Sequence, residues 1–245
     1  MNNGQHEQEE TAGKIAGVRV GIVRDNEDPE QLGRVKLEFP WRGAADESYW
    51  ARIATDMAGD GYGTFYLPEV DDEVLVGFEN GDIHSPIVIG SLWNGNHKPP
   101  SGNADGNNDI RAVVTRSGHR IEFDDNDSAG KVSIETNSGH TILLDDEQGK
   151  ESVKIEDKSG NLVAMDSVKN SIEISAKQEL TLAAPTIELS ADAELKLASK
   201  GKIDVSGDAQ TSVASKGQLN LESNGLMGID ATGPLTIKGA IIQLN

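Results

Sequence analysis

The spacing of hydrophobic and polar residues changes twice along this 245-residue chain. Up to about residue 97, apolar residues gather in short runs at 17–24, 33–39, 49–54, 63–66, 73–78 and 87–92. The runs are rich in Val, Ile and aromatic residues and bounded by Gly, Pro, Asp or Asn, the pattern of short strands. In Arg34-Val-Lys-Leu-Glu-Phe39 polar and apolar positions alternate, as in a strand with one wet face. Asn80-Gly81 suits a type I′ hairpin turn. No amphipathic helix of normal length is visible, so residues 13–97 are expected to form a closed or nearly closed antiparallel barrel.

A second pattern starts near residue 111. Ser117-Gly-His-Arg-Ile-Glu-Phe-Asp-Asp125, Ser138-Gly-His-Thr-Ile-Leu-Leu-Asp-Asp146 and Ser159-Gly-Asn-Leu-Val-Ala-Met-Asp-Ser167 align at a period of 21 residues. Each is followed by a second alternating segment, at Val132/Ile134, Val153/Ile155 and Ile172/Ile174. Two short strands and two turns per repeat make a β-meander over 111–167.

From about 168 to the end the period shortens to seven or eight residues. Apolar residues recur as pairs flanking one polar residue: Ile172/Ile174, Leu180/Leu182, Ile187/Leu189, Leu195/Leu197, Ile203/Val205, Thr211/Val213, Leu219/Leu221, Met227/Ile229, Leu235/Ile237 and Ile242/Leu244. Thr211 is the single break in the rule. Two inward side chains per octad contribute roughly 1.5–3 kcal/mol each when buried. Fixing eight residues costs about 1–2 kcal/mol per residue in backbone entropy. One chain wound alone would also expose sheet edges along its whole length. Three chains sharing an axis cover those edges with one another and fill the axis with the paired residues. An intertwined homotrimer is therefore expected, and ten strands stacked about 4.7–4.9 Å apart would form a shaft roughly 50 Å long.

Composition sharpens the division. Nine of the ten aromatic residues precede position 94, leaving only Phe123 beyond it. Residues 98–110, rich in Pro, Gly and Asn, read as a linker. The formal charge is −19, spread over both halves, which argues against nucleic acid as a partner. The absence of cysteine excludes a disulfide framework and a thiol nucleophile. Residues 1–12 are polar and acidic, read as a disordered N-terminus, and lack the basic and apolar regions of a secretory signal. No apolar run is long enough for a transmembrane helix.

The order of motifs in the first domain carries a resemblance. Gly17-Val-Arg-Val-Gly-Ile-Val is followed by Leu32-Gly-Arg-Val-Lys-Leu-Glu-Phe-Pro-Trp41, then Tyr49-Trp-Ala-Arg-Ile53. Gly63-Thr-Phe-Tyr-Leu-Pro-Glu-Val-Asp-Asp-Glu-Val-Leu-Val-Gly-Phe78, Gly81-Asp82 and Pro86-Ile-Val-Ile-Gly-Ser-Leu-Trp-Asn94 complete the series. The series resembles the OB-fold domain of contractile-tail central spikes, the family of phage baseplate assembly protein V and the type VI valine-glycine repeat proteins. The octads resemble the triple-stranded β-helix of the same spikes.

The resemblance implies an all-β molecule: an N-terminal OB-fold barrel, a β-meander, and an intertwined triple-stranded β-helix needle over 168–245. It implies a structural spike, driven through a target envelope when a phage tail or phage-derived injection system contracts. Its implied place is a virion tail or a contractile particle, assembled in the cytoplasm or found outside the cell. Implied partners are two further copies, a separate hub protein at the barrel end, a PAAR-repeat protein at the C-terminal tip, and, transiently, the envelope.

The chain's chemistry is sparse. No HExxH, GxSxG or P-loop motif occurs, and no place exists between barrel and shaft for a lysozyme domain, so no catalysis and no cofactor are expected. The trimer core is read as the octad pairs from Ile172 to Ile237, and tip-cap binding as Ile241, Ile242, Leu244 and Asn245. His119 shares parity with Ile121 and Phe123, and His140 with Ile142 and Leu144. Rings of three on the axis could bind an anion or a divalent metal; the plainer reading places each at a Gly turn facing water. Two other functions fit parts of the pattern: a trimeric fibre or adhesin that binds a surface glycan, and an enzyme working in a β-helical groove. The second needs a one-sided carboxylate or basic cluster that the octads lack.

Overall fold

The computed structural model describes residues 14–42 and 47–243. Every regular element among them is a strand, apart from one 3-10 turn at Glu79–Gly81. The chain divides into two units, one ending at Thr181 and one starting at Leu182. Among the described residues no helix is long and apolar enough to cross a membrane.

The first domain is built from β1 (Arg19–Asp25), β2 (Lys36–Glu38), β3 (Arg52–Ile53), β6 (Glu73–Phe78) and β7 (Pro86–Ser91), in spatial order β2-β1-β6-β7-β3. The small hairpin of β4 (Ala58–Gly59) and β5 (Tyr62–Gly63) stands apart. Four of the five strands pair antiparallel; β3 runs parallel to β7. Bridges Val35↔Ala51 and Glu38↔Glu47 join the two ends of the order and close the barrel. Alternation does the filling: Val23, Val35, Leu37, Phe39, Ala51, Val74, Val76 and Val88 are buried in one core. Phe39 anchors it, with the rings of Trp41 and Phe78 each 5.6 Å away.

Two details differ from the sequence reading. Asn80 and Gly81 do take positive φ, 52° and 77°, but within a longer loop from 79 to 85, not a two-residue hairpin. The expected strand at 63–66 is only Tyr62–Gly63, and Phe65 and Tyr66 lie in irregular chain.

A single seven-stranded sheet follows: β8 (Ile110–Val114), β9 (Arg120–Asp124), β10 (Lys131–Glu135), β11 (Thr141–Asp145), β12 (Ser152–Glu156), β13 (Leu162–Asp166) and β14 (Ser171–Ser175). Every strand pairs antiparallel with its sequence neighbour, which is a meander. β9, β11 and β13 begin 21 residues apart, as the repeat requires. The turns before them carry Gly118, Gly139 and Gly160 at φ 90°, 88° and 82°, a conformation that side chains with a Cβ rarely adopt. The sheet takes in β14, so Ile172 and Ile174, which also open the octad series, pair within the chain to Met165 and Val163.

After Ser175 no strand or bridge occurs among the described residues. The chain runs extended between bends that recur every eight residues from 192 to 240. The hydroxyls of Ser199, Ser215 and Ser223 each accept the amide of the glycine two residues on, at 3.1–3.2 Å, which shapes the bends.

Candidate interaction surfaces

Four features outside the barrel core bear on function. The first is one face of the meander. Registers align Val113, Ile121, Ile134, Ile142, Ile155, Val163 and Ile174 in one cross-strand row. A second row holds Arg111, Phe123, Val132, Leu144, Val153, Met165 and Ile172. Period-two alternation puts both rows on one side. Val132 and Val163 apart, the apolar residues of both rows are 36–70% exposed. The row between them (Ala112, Glu122, Ser133, Leu143, Lys154, Ala164 and Glu173) faces the other way and is mixed.

The second is the octad region, whose paired apolar residues are expected to be covered only by further copies and are open in the single chain. Leu180, Ile187, Leu195, Ile203, Leu219, Met227 and Leu235, the apolar first members of the pairs, are 48–56% exposed. The second members lie further open: Leu182, Leu189, Leu197, Val205, Val213, Leu221, Ile229 and Ile237 are 62–74% exposed. The reason is geometric. A lone extended strand has no wall opposite its apolar side, so one chain cannot bury these residues however regular their spacing. The intervening residues form a polar row whose members bond along the strand: Glu194 with Lys196 (2.9 Å), Lys202 with Asp204 (2.6 Å), and Gln218 with Asn220 (2.8 Å). Apolar and polar side chains are thus sorted to opposite sides although no strand partner is present. At the C-terminal end Ile241 and Ile242 are also exposed. Leu244 and Asn245, the other expected tip residues, lie outside the described residues.

The third is a groove of about 800 Å³ on the barrel, lined by Leu32, Met57, Tyr62, Phe65, Tyr66 and Ile89 with neighbouring backbone. These six side chains are 45–76% exposed. The β4–β5 hairpin supplies its rim. Gly63 sits at φ 141°, and a Cβ there would come 2.4 Å from the Met57 carbonyl, so the hairpin closes only on glycine. The sequence reading missed this groove. Its signature was adjacent Phe65-Tyr66: two neighbouring aromatics cannot both enter a core from an alternating strand.

The fourth is the loop that opens the Leu32-Gly-Arg motif. Asp28, whose side chain is 3% exposed, accepts both Nε and Nη2 of Arg34 at 2.9 and 2.8 Å. It also accepts the amides of Glu30 and Leu32 at 3.1 and 3.0 Å. The Arg34 guanidinium, then the amides, hold its carboxyl below the ordinary aspartate range. Arg34 and Lys36 in turn sit over the Trp50 ring. This carboxylate organises a loop and faces no cleft.

His119 and His140 stand in the turns before β9 and β11, both exposed. Their Nδ1 atoms accept amides of the next turn along the sheet, Asn137 at 3.3 Å and Lys158 at 3.4 Å. Asn161, at the equivalent repeat position, accepts the Lys177 amide through Oδ1 at 2.8 Å. Within one chain the two histidines therefore share a turn-linking role with an asparagine. Among the described residues no group of three or more His, Asp or Glu side chains is placed to hold a metal.

A five-stranded barrel with one parallel pair, followed in the chain by a seven-stranded meander, puts the protein in the all-β class. Residues 19–93, which hold the barrel strands, match the type VI secretion system/phage-baseplate injector OB domain family. Over 100 residues the chain is 36% identical to the type VI secretion system spike protein VgrG5 of Pseudomonas aeruginosa, covering 39% of this chain and 13% of that protein. Spike protein VgrG4b of the same organism is 34% identical over 100 residues, 39% of this chain and 12% of its own length. The actin cross-linking toxin VgrG1 of Vibrio cholerae is 37% identical over 75 residues, 29% of this chain and 7% of the toxin. The matches thus span about an eighth or less of these relatives and rest on less than half of this chain.

Proposed function

We propose that the chain is the central spike of a contractile tail or tail-like injection system, acting as a homotrimer that is pushed through a target envelope on contraction. The observation that carries this reading is the end of strand pairing at Ser175 while inward/outward sorting continues to residue 243. An extended backbone that, between its bends, has no ladder partner among the described residues is suited to pair with other chains. The two apolar rows of β8–β14 point the same way: three such sheets, faces inward, enclose a core that one sheet leaves open to water.

In this reading the octads form a triple-stranded needle whose stiffness comes from continuous backbone pairing. Leu189, Leu197, Val205, Val213, Leu221, Ile229 and their pair-mates, open in one chain, are buried on the axis by the other two. A separate hub receives the barrel end, and a PAAR-repeat tip protein covers Ile241, Ile242 and the residues after them. The work is mechanical and needs no catalytic group. The acidity of the chain keeps the free spike soluble and off anionic surfaces. The mass of the full chain in native buffer tests the core of this reading. Three copies are expected, stable at nanomolar concentration; a stable monomer would overturn the needle and the spike together.

A further inference from the structure

We propose that the barrel groove is the seam between neighbouring copies at the level of the OB domains, and that its occupant is the next copy's barrel. This rests on the trimeric reading above. Four observations lead to it.

First, Leu32, Met57, Tyr62, Phe65, Tyr66 and Ile89 line one groove, and the most exposed of them, Phe65, is 76% open in the single chain. Large apolar side chains gathered at one exposed site mark an interaction surface.

Second, Asp56 is the only charged side chain in the lining, whereas residues 1–100 carry a net −10. Three acidic barrels gathered at the head of one shaft repel each other everywhere except where charge is missing. Close approach is cheapest across this wall, which carries a single carboxylate.

Third, the threonine hydroxyls of the rim are already paired. Thr55 Oγ1 donates to the Thr64 carbonyl at 2.9 Å, and Thr64 Oγ1 donates to the Asp56 carboxylate at 3.3 Å. The rim is also fixed by the Thr64 amide bond to the Met57 carbonyl (3.0 Å), so little order has to be imposed on docking.

Fourth, Val18, Trp41 and Trp93, all exposed, lie outside the groove lining, so the barrel presents large apolar side chains elsewhere as well. A groove that meets a different part of its neighbour makes a head-to-tail contact, the kind that closes into a ring around a threefold axis.

The chain has no cysteine, so a single introduced thiol reports one position cleanly. Phe65→Cys and Tyr66→Cys, each in the full chain, are compared with Ser101→Cys in the linker. Native mass confirms the trimer and thermal unfolding confirms the barrel in each. Maleimide labelling is expected to be at least about tenfold slower at 65 and 66 than at 101. In a verified trimer, rates at both groove positions within about tenfold of the control overturn the seam and leave the spike reading standing. A monomer overturns both. Thiols that are fast in the trimer and slow only when lipopolysaccharide is added reassign the groove to a glycan, and also overturn the seam.

Discussion

The barrel and the octad region use the same alternation of apolar and polar residues, yet the chain completes only one of them. In the barrel, strand order curls back until Val35 meets Ala51, and eight side chains lose contact with water. In the octads each extended stretch is followed by a bend and another stretch eight residues on, and side chains such as Leu197 and Val205 stay open. Alternation decides which side of a strand turns inward; it does not decide whose chain supplies the other wall. Closure within one chain needs strands that return to pair with one another. On the proposed reading, a strict short repeat in one direction leaves that task to copies.

The largest effect expected from this contrast is on assembly. Ending the chain at residue 97 is expected to leave a folded barrel, by far-UV circular dichroism, but to abolish the tight trimer, as read by sedimentation at micromolar concentration. A truncated barrel that stays trimeric at nanomolar concentration would move the source of assembly out of the shaft. Next comes Leu195→Asn. An unsatisfied inward polar group costs about 1–3 kcal/mol per chain, and every trimer carries three. The guanidinium midpoint for trimer dissociation should fall sharply, whereas Lys196→Asn, one residue away on the polar row, should leave it unchanged.

In the barrel, Leu37→Ala should cost about 2–5 kcal/mol. Calorimetry should show the barrel transition alone moving, with trimer mass intact; a shift of the shaft transition would mean the two regions unfold together.

A smaller effect is expected of Asp28, and here the sign matters. Its folded carboxyl titrates below its unfolded value, so its contribution is fully present above about pH 4 and is lost as pH falls further. Asp28→Asn should lower the barrel Tm at pH 7 and flatten its fall between about pH 4 and 2. Parallel Tm–pH curves for both proteins would remove Asp28 from that role. Glu194→Gln, in an exposed ion pair, should change nothing measurable at physiological salt.

Much of this architecture was legible before any coordinates. The run at 73–78 is β6 residue for residue, and the 21-residue repeat sets the spacing of β9, β11 and β13. Both follow from periodicity, which survives wherever the backbone is continuously extended. Legibility fails at turns. Asn80-Gly81 promised a tight hairpin, but the Asp82 and Ser85 bonds stretch the reversal to residue 85. Parity aligned His119 with Ile121, but the His119 ring reaches the Asn137 amide on a neighbouring turn, a contact between residues 18 apart that no local count contains. The groove escaped for a related reason: its rim depends on how the hairpin around Gly63 folds over Met57.

The neighbour-to-neighbour order of β8–β14 has a kinetic consequence. Each strand there meets the one just synthesised, so contact order is low and little loop entropy stands in the way. On the proposed reading the sheet can zip up on each nascent chain alone, whereas the octads have nothing to pair with until three chains meet. The meander then serves as the nucleus on which three copies find each other in register, and the needle winds outward from β14 toward the tip.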